Sequence, residues 1–124
     1  MIGIAPLPNS GPKLRKVGRE ATSREAIPTA ESYFPWWEKH PATEPSLRHW
    51  HEVAVAADWR SPLDAVSDFS KAKALNGERL RFEVAGGDYR MVVAFDWRRS
   101  IAFIKFLGTH AEYDRIDAIT VSLF

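Results

Sequence analysis

The chain contains no cysteine, which excludes disulfide bridges and thiolate metal sites. It holds no apolar run of membrane-spanning length, and its first residues lack the apolar core of a secretory leader. Neither sign of charge is in excess: 17 Lys and Arg against 16 Asp and Glu leave a formal net charge of +1. A uniformly basic nucleic-acid binder is therefore excluded, and any case for an anionic ligand must come from where the cations sit. No Walker-type or GxGxxG sequence is present, so a nucleotide cofactor has no support. No repeat or low-complexity tract interrupts the chain. What remains is one globular domain within 124 residues. The expectation is a cytoplasmic protein with no membrane partner and no cofactor.

Residues 1–28, MIGIAPLPNSGPKLRKVGREATSREAIP, hold four of the eight prolines and no sustained apolar period. They read as a flexible accessory tail ahead of a domain spanning 29–124. Lys13, Arg15, Lys16, Arg19 and Arg24 make the tail basic, and Glu20 and Glu25 dilute it. A short helix is expected around Trp36–Lys39, stopped by Pro41. From Pro45 to Ala57, Leu47, Trp50, Val53 or Ala54, and Ala57 draw one apolar stripe along a second helix. Ser61-Pro62-Leu63-Asp64 opens a third, with serine as cap, proline in the first turn and aspartate at the positive end of the dipole.

From Arg79 the apolar period changes from 3.6 to 2. RLRFEVA, DYRMVVAFD and IAFIKFL read as three strands joined by AGGD and DWRRS. Connections this short force antiparallel pairing. The fold class is α+β: an antiparallel β-meander of three to four strands, two to three helices packed on one face, and a short C-terminal helix. With Gly86-Gly87 as a two-residue turn, Glu83 faces Arg90 and Arg81 faces Val92. With Arg98-Arg99 tipping the second hairpin, Val92 faces Lys105 and Val93 faces Ile104. One sheet face is then apolar, carrying Leu80, Phe82, Val84, Tyr89, Met91, Val93, Phe95, Ala102, Ile104 and Phe106. The other carries Arg79, Arg81, Glu83, Arg90, Val92, Ala94, Phe103, Lys105 and Leu107. Arg81, Arg90 and Lys105 converge there, as a phosphate seat or as a solvated face with a Glu83–Arg90 ion pair.

Past the last strand the chain reads FLGTHAEYDRID. Thr109 and Glu112 have capping-box spacing, which accounts for both residues without catalysis. His110 and Asp114 are four apart and share one side of a helix. His110 stands just beyond the strand bearing Lys105, and imidazole is the side chain that exchanges protons near neutral pH. The other histidines carry less. His49 and His51, two apart on a helix, diverge and make no metal pair, and His40 precedes a proline with no visible partner. The tryptophans read as structural, except that Trp97 beside Arg98 and Arg99 in a hairpin tip is a candidate for contact with RNA or a partner.

WEKHP, W…DW.SP, NG.R..F, G..YR and FLGTHAEYDRID together resemble the HigB-type toxin family, RelE-like messenger-RNA interferases of type II toxin–antitoxin pairs. The resemblance spans Trp36 to Val121. It implies a small RelE-like α/β fold, cleavage of mRNA on the ribosome, and a helix-turn-helix antitoxin of the HigA type as partner. Carried over by position, Arg90 belongs to the family's YR element, and His110, Glu112, Tyr113 and Asp114 to its HAEYD element. Lys105 stands where the family places Lys or Arg. The family pattern F-N-I-x-G-N-K-Y-R reads FEVAGGDYR here, so Glu83 replaces an asparagine and Asp88 a lysine. The family's first strand lies just before WEKHP, a stretch that Pro28 and Pro35 interrupt in this chain.

The activity so implied is an endoribonuclease that uses the RNA's own 2′-hydroxyl as nucleophile, without metal. His110 is the candidate acid or base. Arg81, Arg90 and Lys105 would stabilise phosphoryl charge. Tyr113 would stack on a base, donate a proton, or simply pack the last helix; Asp114 would orient His110. Arg79, Trp97, Arg98 and Arg99 complete the candidate RNA contacts. The rival reading is a catalytically decayed homologue, marked by Glu83 and Asp88, that only binds antitoxin or RNA. A third is a general RNA-binding module needing no ribosome.

Overall fold

A computed structural model of the chain describes residues 2–5 and 34–122. The basic stretch expected within the tail lies outside the described residues. Helix α1, Phe34–Lys39, stops before Pro41, which has no N–H to continue it. A 3-10 turn, Pro41–Thr43, leads into α2, Glu44–Ala56. Its predicted stripe is real: Leu47, Trp50 and Ala54 are buried. Helix α3, Pro62–Asp68, begins where expected, but the Ser61 hydroxyl makes no capping bond. The Asp64 carboxylate folds back over the first turn instead and accepts from the Arg60 amide at 2.9 Å.

The sheet departs from a three- to four-stranded antiparallel meander. It has five strands in the order β1-β5-β4-β3-β2 and is mixed. They are β1 Gly3–Ile4, β2 Lys73–Ala74, β3 Arg79–Val84, β4 Tyr89–Asp96 and β5 Ile101–Thr109. The meander β3-β4-β5 is as predicted, and two short strands extend it. Strand β1 runs parallel to β5, with Gly3 beside Ile101 and Ile4 beside Ala102. The Ala5 amide donates to the Ala102 carbonyl at 2.8 Å. Ile2 and Ile4, two apart, point to one face and are buried in the core. Residues 2–5 of the expected tail are thus part of the sheet. The stretch leading up to Phe34, where the resemblance places a first strand, lies outside the described residues.

The first hairpin keeps its predicted register: Val84 faces Tyr89, Glu83 faces Arg90 and Arg81 faces Val92. The turn between them takes three successive positive φ values, at Ala85, Gly86 and Gly87. The Ser46 hydroxyl on α2 accepts from the Ala85 amide at 2.9 Å and fixes the turn to the helices. The second hairpin keeps Val93 against Ile104, then breaks register. Val92 faces Phe106, not Lys105 alone, so Lys105 is the extra residue of a β-bulge.

That one residue moves the rest of β5 to the other face. Leu107, predicted to face outward, faces Met91 and belongs to the core cluster. Phe106, predicted to face the helices, turns outward and packs on Tyr113 with ring centroids 6.1 Å apart. The Phe106 ring folds over Gly108. A methyl group there would lie 2.7 Å from Phe106 Cζ and 2.7 Å from Glu112 Oε1. The inner face closes on α1, α2 and α3 through edge-on rings: Phe82 meets Trp50 and Phe69 at 5.5 Å, and Trp59 meets Phe95 at 5.9 Å. Substituting Gly108→Ala is expected to destabilise the fold by about 1–3 kcal/mol, because the added methyl overpacks this contact. Chemical denaturation measures it, and a variant as stable as the parent would contradict the close approach.

Candidate functional site

The end of β5 carries the residues of the FLGTHAEYDRID stretch. The capping box forms as its spacing predicts: the Glu112 amide donates to Thr109 Oγ1 at 3.1 Å, and the Thr109 amide donates to Glu112 Oε1 at 2.8 Å. It starts α4, His110–Tyr113, on the outer side of the sheet. The His110 amide donates to the Asp88 carbonyl at 2.9 Å, which ties α4 to the β3–β4 turn. His110 Nδ1 lies 3.1 Å from Asp114 Oδ2, the predicted i, i+4 pair. With Nδ1–H donating to the carboxylate, Nε2 is left as the nitrogen that can exchange a proton with a ligand. Both side chains are more than half exposed, at 51% and 60%, so the pair orients the ring more than it stabilises the fold.

Tyr113 explains how α4 is held down. Its ring lies between Phe106 beneath and the Arg90 guanidinium, whose Cζ is 5.8 Å from the ring centroid. Arg90 Nε also donates to the Gly87 carbonyl at 3.3 Å. Arg90 makes no ion pair among the described residues. The predicted Glu83–Arg90 ion pair is absent although the two face each other in register. Glu83 turns along its own strand to Arg81, at 3.7 Å. Arg81 therefore carries a partly neutralised charge, with its Nη2 also 3.4 Å from the Lys71 carbonyl.

Lys105 stays on the outer face, its Nζ 5.6 Å from the centre of the Phe103 ring. Arg79 lies on the same face but is spent on structure. Its Nη1 donates to the carbonyls of Ala118, at 3.0 Å, and Val121, at 2.8 Å. The segment after α4 thus runs from the Arg90 end of the sheet to the Arg79 end. Val92, between Arg81 and the Lys105–Phe106 bulge, is fully buried. The register thus sets Arg81 and Lys105 on either side of a covered centre. Of the predicted site residues, His110, Tyr113 and Arg90 are brought together at one end.

Trp97, Arg98 and Arg99 stand at the other end, in the β4–β5 turn, some seven strand residues or about 23 Å away. Trp97 stacks on Phe95 of the core at 4.5 Å, and its indole N–H donates to the Gly77 carbonyl at 2.8 Å. Arg98 and Arg99 are exposed, and Arg99 Nε lies 3.6 Å from Asp96. These three do not join the His110 end.

Two groups escaped the sequence reading. His40 does have a partner: its Nδ1 lies 3.4 Å from the Tyr89 hydroxyl, and its ring packs on Trp36 at 4.2 Å. The four-residue spacing of Trp36 in α1 and His40 just past its end was the available clue. Lys73 on β2 lies directly opposite Arg81. The alternation in KAKAL was its clue, too short to register as a strand. Among the described residues no group of three or more His, Cys, Asp or Glu side chains forms a metal cluster, and no described helix is long and apolar enough to cross a membrane.

Fold and site define a small α+β protein whose mixed sheet carries a cationic outer face with an imidazole at its rim. Residues 43–116, more than half of the chain, match the HigB toxin family, the RelE-like toxic component of a toxin–antitoxin system, and the chain belongs to that family. It is thereby a toxin of a toxin–antitoxin system, with an antitoxin as its partner. No curated protein matches the chain. The structural role of Arg79 gives a direct test. Arg79→Ala is expected to speed amide hydrogen exchange at residues 118–121 at least tenfold, while Arg98→Ala leaves it unchanged. Equal exchange in the two variants would show that the carbonyl contacts do not hold the segment.

Proposed function

We propose that this toxin is an endoribonuclease that cuts mRNA in association with the ribosome, and that a HigA-type helix-turn-helix antitoxin neutralises it. The observation that carries the reading is the His110–Asp114 pair beside Arg90 at one end of the sheet, in a chain of this family. The RNA 2′-hydroxyl attacks the adjacent phosphorus, and the bond to the leaving 5′-oxygen breaks, giving a cyclic phosphate. The reaction needs one proton removed and one delivered, with no metal. His110 exchanges a proton through Nε2, and Asp114 fixes the ring. Arg90 lies against charge that grows on the phosphoryl oxygens, with Lys105 and Arg81 flanking it along the backbone.

Tyr113 holds Arg90 in place. Its hydroxyl is a second proton-transfer candidate, and its half-buried ring can meet a base.

One feature favours the second reading, a homologue that binds antitoxin or RNA without cutting. Glu83 draws charge from Arg81 at 3.7 Å, where the family pattern has a neutral asparagine. Inducing the protein in bacterial cells and mapping transcript 5′ ends separates the two. New ends within translated mRNA support cutting, whereas intact transcripts with a stable antitoxin complex support binding alone. His110→Ala is expected to lower cutting by about 10²–10⁴-fold with the unfolding midpoint unchanged. Asp114→Asn should lower it less, since it misorients the ring without removing it. Growth arrest and cutting by His110→Ala at the parent level would remove His110 from the mechanism.

A further inference from the structure

The outer face has a row of charge that crosses to the sheet edge. Lys73 lies opposite Arg81, Arg81 opposite Val92, and Val92 opposite the Lys105–Phe106 bulge. Residues directly opposite in an antiparallel pair project from the same face, with Cβ atoms about 5 Å apart. Lys73 and Arg81 are therefore like charges held side by side, an arrangement that costs a sheet stability. One carboxylate serves them: Glu83 reaches Arg81, and no ion pair to Lys73 forms among the described residues. Lys73 is exposed, on an edge strand only two residues long. Arg79, the next cation along β3 on that face, is occupied by the carbonyls of the C-terminal segment. That segment occupies the outer face at Arg79, and Arg81 is mostly covered, 17% exposed, whereas Lys73 on β2 stands exposed.

We infer that Lys73, over the β3–β2 edge, is a phosphate contact of this protein, which leads single-stranded RNA off the sheet beyond Arg81. The inference rests on the ribonuclease reading and extends it: the RNA backbone lies at an angle to the strands, from the His110–Arg90 corner towards β2. The ligand chemistry is the phosphodiester backbone, because an ammonium on a flexible stem positions a phosphate without reading a base. Lys73 touches neither the scissile bond nor His110, so its contribution is to affinity and register.

The test uses the full chain carrying His110→Ala, so that RNA stays intact, and a fluorescent single-stranded oligoribonucleotide titrated at several salt concentrations. Lys73→Ala is expected to weaken binding severalfold, equally for oligonucleotides of different sequence. The slope of log K against log salt should fall by about 0.7, the value for one phosphate contact on a single strand. Lys73→Glu should weaken binding further. The unfolding midpoint of Lys73→Ala should hold or rise, since the repulsion with Arg81 is relieved. An unchanged affinity and salt slope in both Lys73 variants overturns the inference. If Arg90→Ala loses RNA affinity in the same series, the ribonuclease reading survives that failure. A parent protein that binds no RNA even at low salt overturns both.

Discussion

A single extra residue, Lys105, determines what the outer face of this protein is. With strict alternation along β5, Phe106 would enter the core, and Leu107 would stand outside beside Arg90. The bulge against Val92 reverses both. Leu107 then supplies core volume opposite Met91, while Phe106 becomes an apolar platform on the outside, under Tyr113. Gly108 allows the platform to lie flat, because any side chain there would collide with the ring. Only on this surface can α4 turn back over the sheet, and only then does Tyr113 meet Arg90. The geometry of the rim is thus set by packing at residues 105–108, two to five positions upstream of the histidine. Bulges commonly re-aim side chains near functional surfaces, and here the re-aimed element is a whole helical turn.

The cations of the outer face have three fates, decided by what lies within reach of each. Arg79 satisfies two backbone carbonyls of the C-terminal segment, a role suited to a planar guanidinium with several donors. Arg81 is drawn to Glu83, on its own strand and two residues away. Arg90 is held by an aromatic face and one carbonyl, which fix its position without neutralising it. Sequence position alone makes these three arginines equivalent, alternate residues on facing strands. The structure makes them a strut, a half-neutralised cation and a positioned free charge. Only the last kind brings both full charge and fixed geometry to a developing anion, which is why weight in the proposed mechanism falls on Arg90.

Much of this was legible before any coordinates. The period of two from Arg79, the glycine pair at the first turn and the capping-box spacing of Thr109 and Glu112 gave three strands, one full register and a helix start. Family resemblance placed the YR and HAEYD elements, and the family match over residues 43–116 spans both stretches. What escaped was short or tertiary. Strands β1 and β2 have two residues each and leave almost no periodic trace. The bulge falls within IAFIKFL, an unbroken apolar run in which either register buries something. Phe106 and Leu107 are both bulky and apolar, so hydropathy could not tell which faced inward. The tie between Arg79 and the C-terminal carbonyls spans about forty residues and has no local signature. Trp97 shows a second, structural role that the sequence did not reveal. An aromatic beside two arginines resembles a base-stacking platform, yet its ring covers Phe95 and its N–H already has an acceptor.

Exposure of the rim constrains how the proposed chemistry can work. Preorganised charge stabilises a transition state most where water is excluded, and an ion pair in water gains little. His110 and Asp114 are half to mostly exposed. In the free protein, then, the pair can orient a ring but cannot supply a low-dielectric site. Arg90 is better placed, with Tyr113 covering one side and the Gly87 carbonyl on another. The missing wall has to come from the substrate complex: stacked bases, the surface that presents the message, or both. A ribonuclease built this way would be slow on free RNA and faster on RNA held against a second macromolecular surface. Under the proposed function, the openness of the rim favours action against the ribosome, because docking would exclude water at the step where Arg90 and His110 would act together.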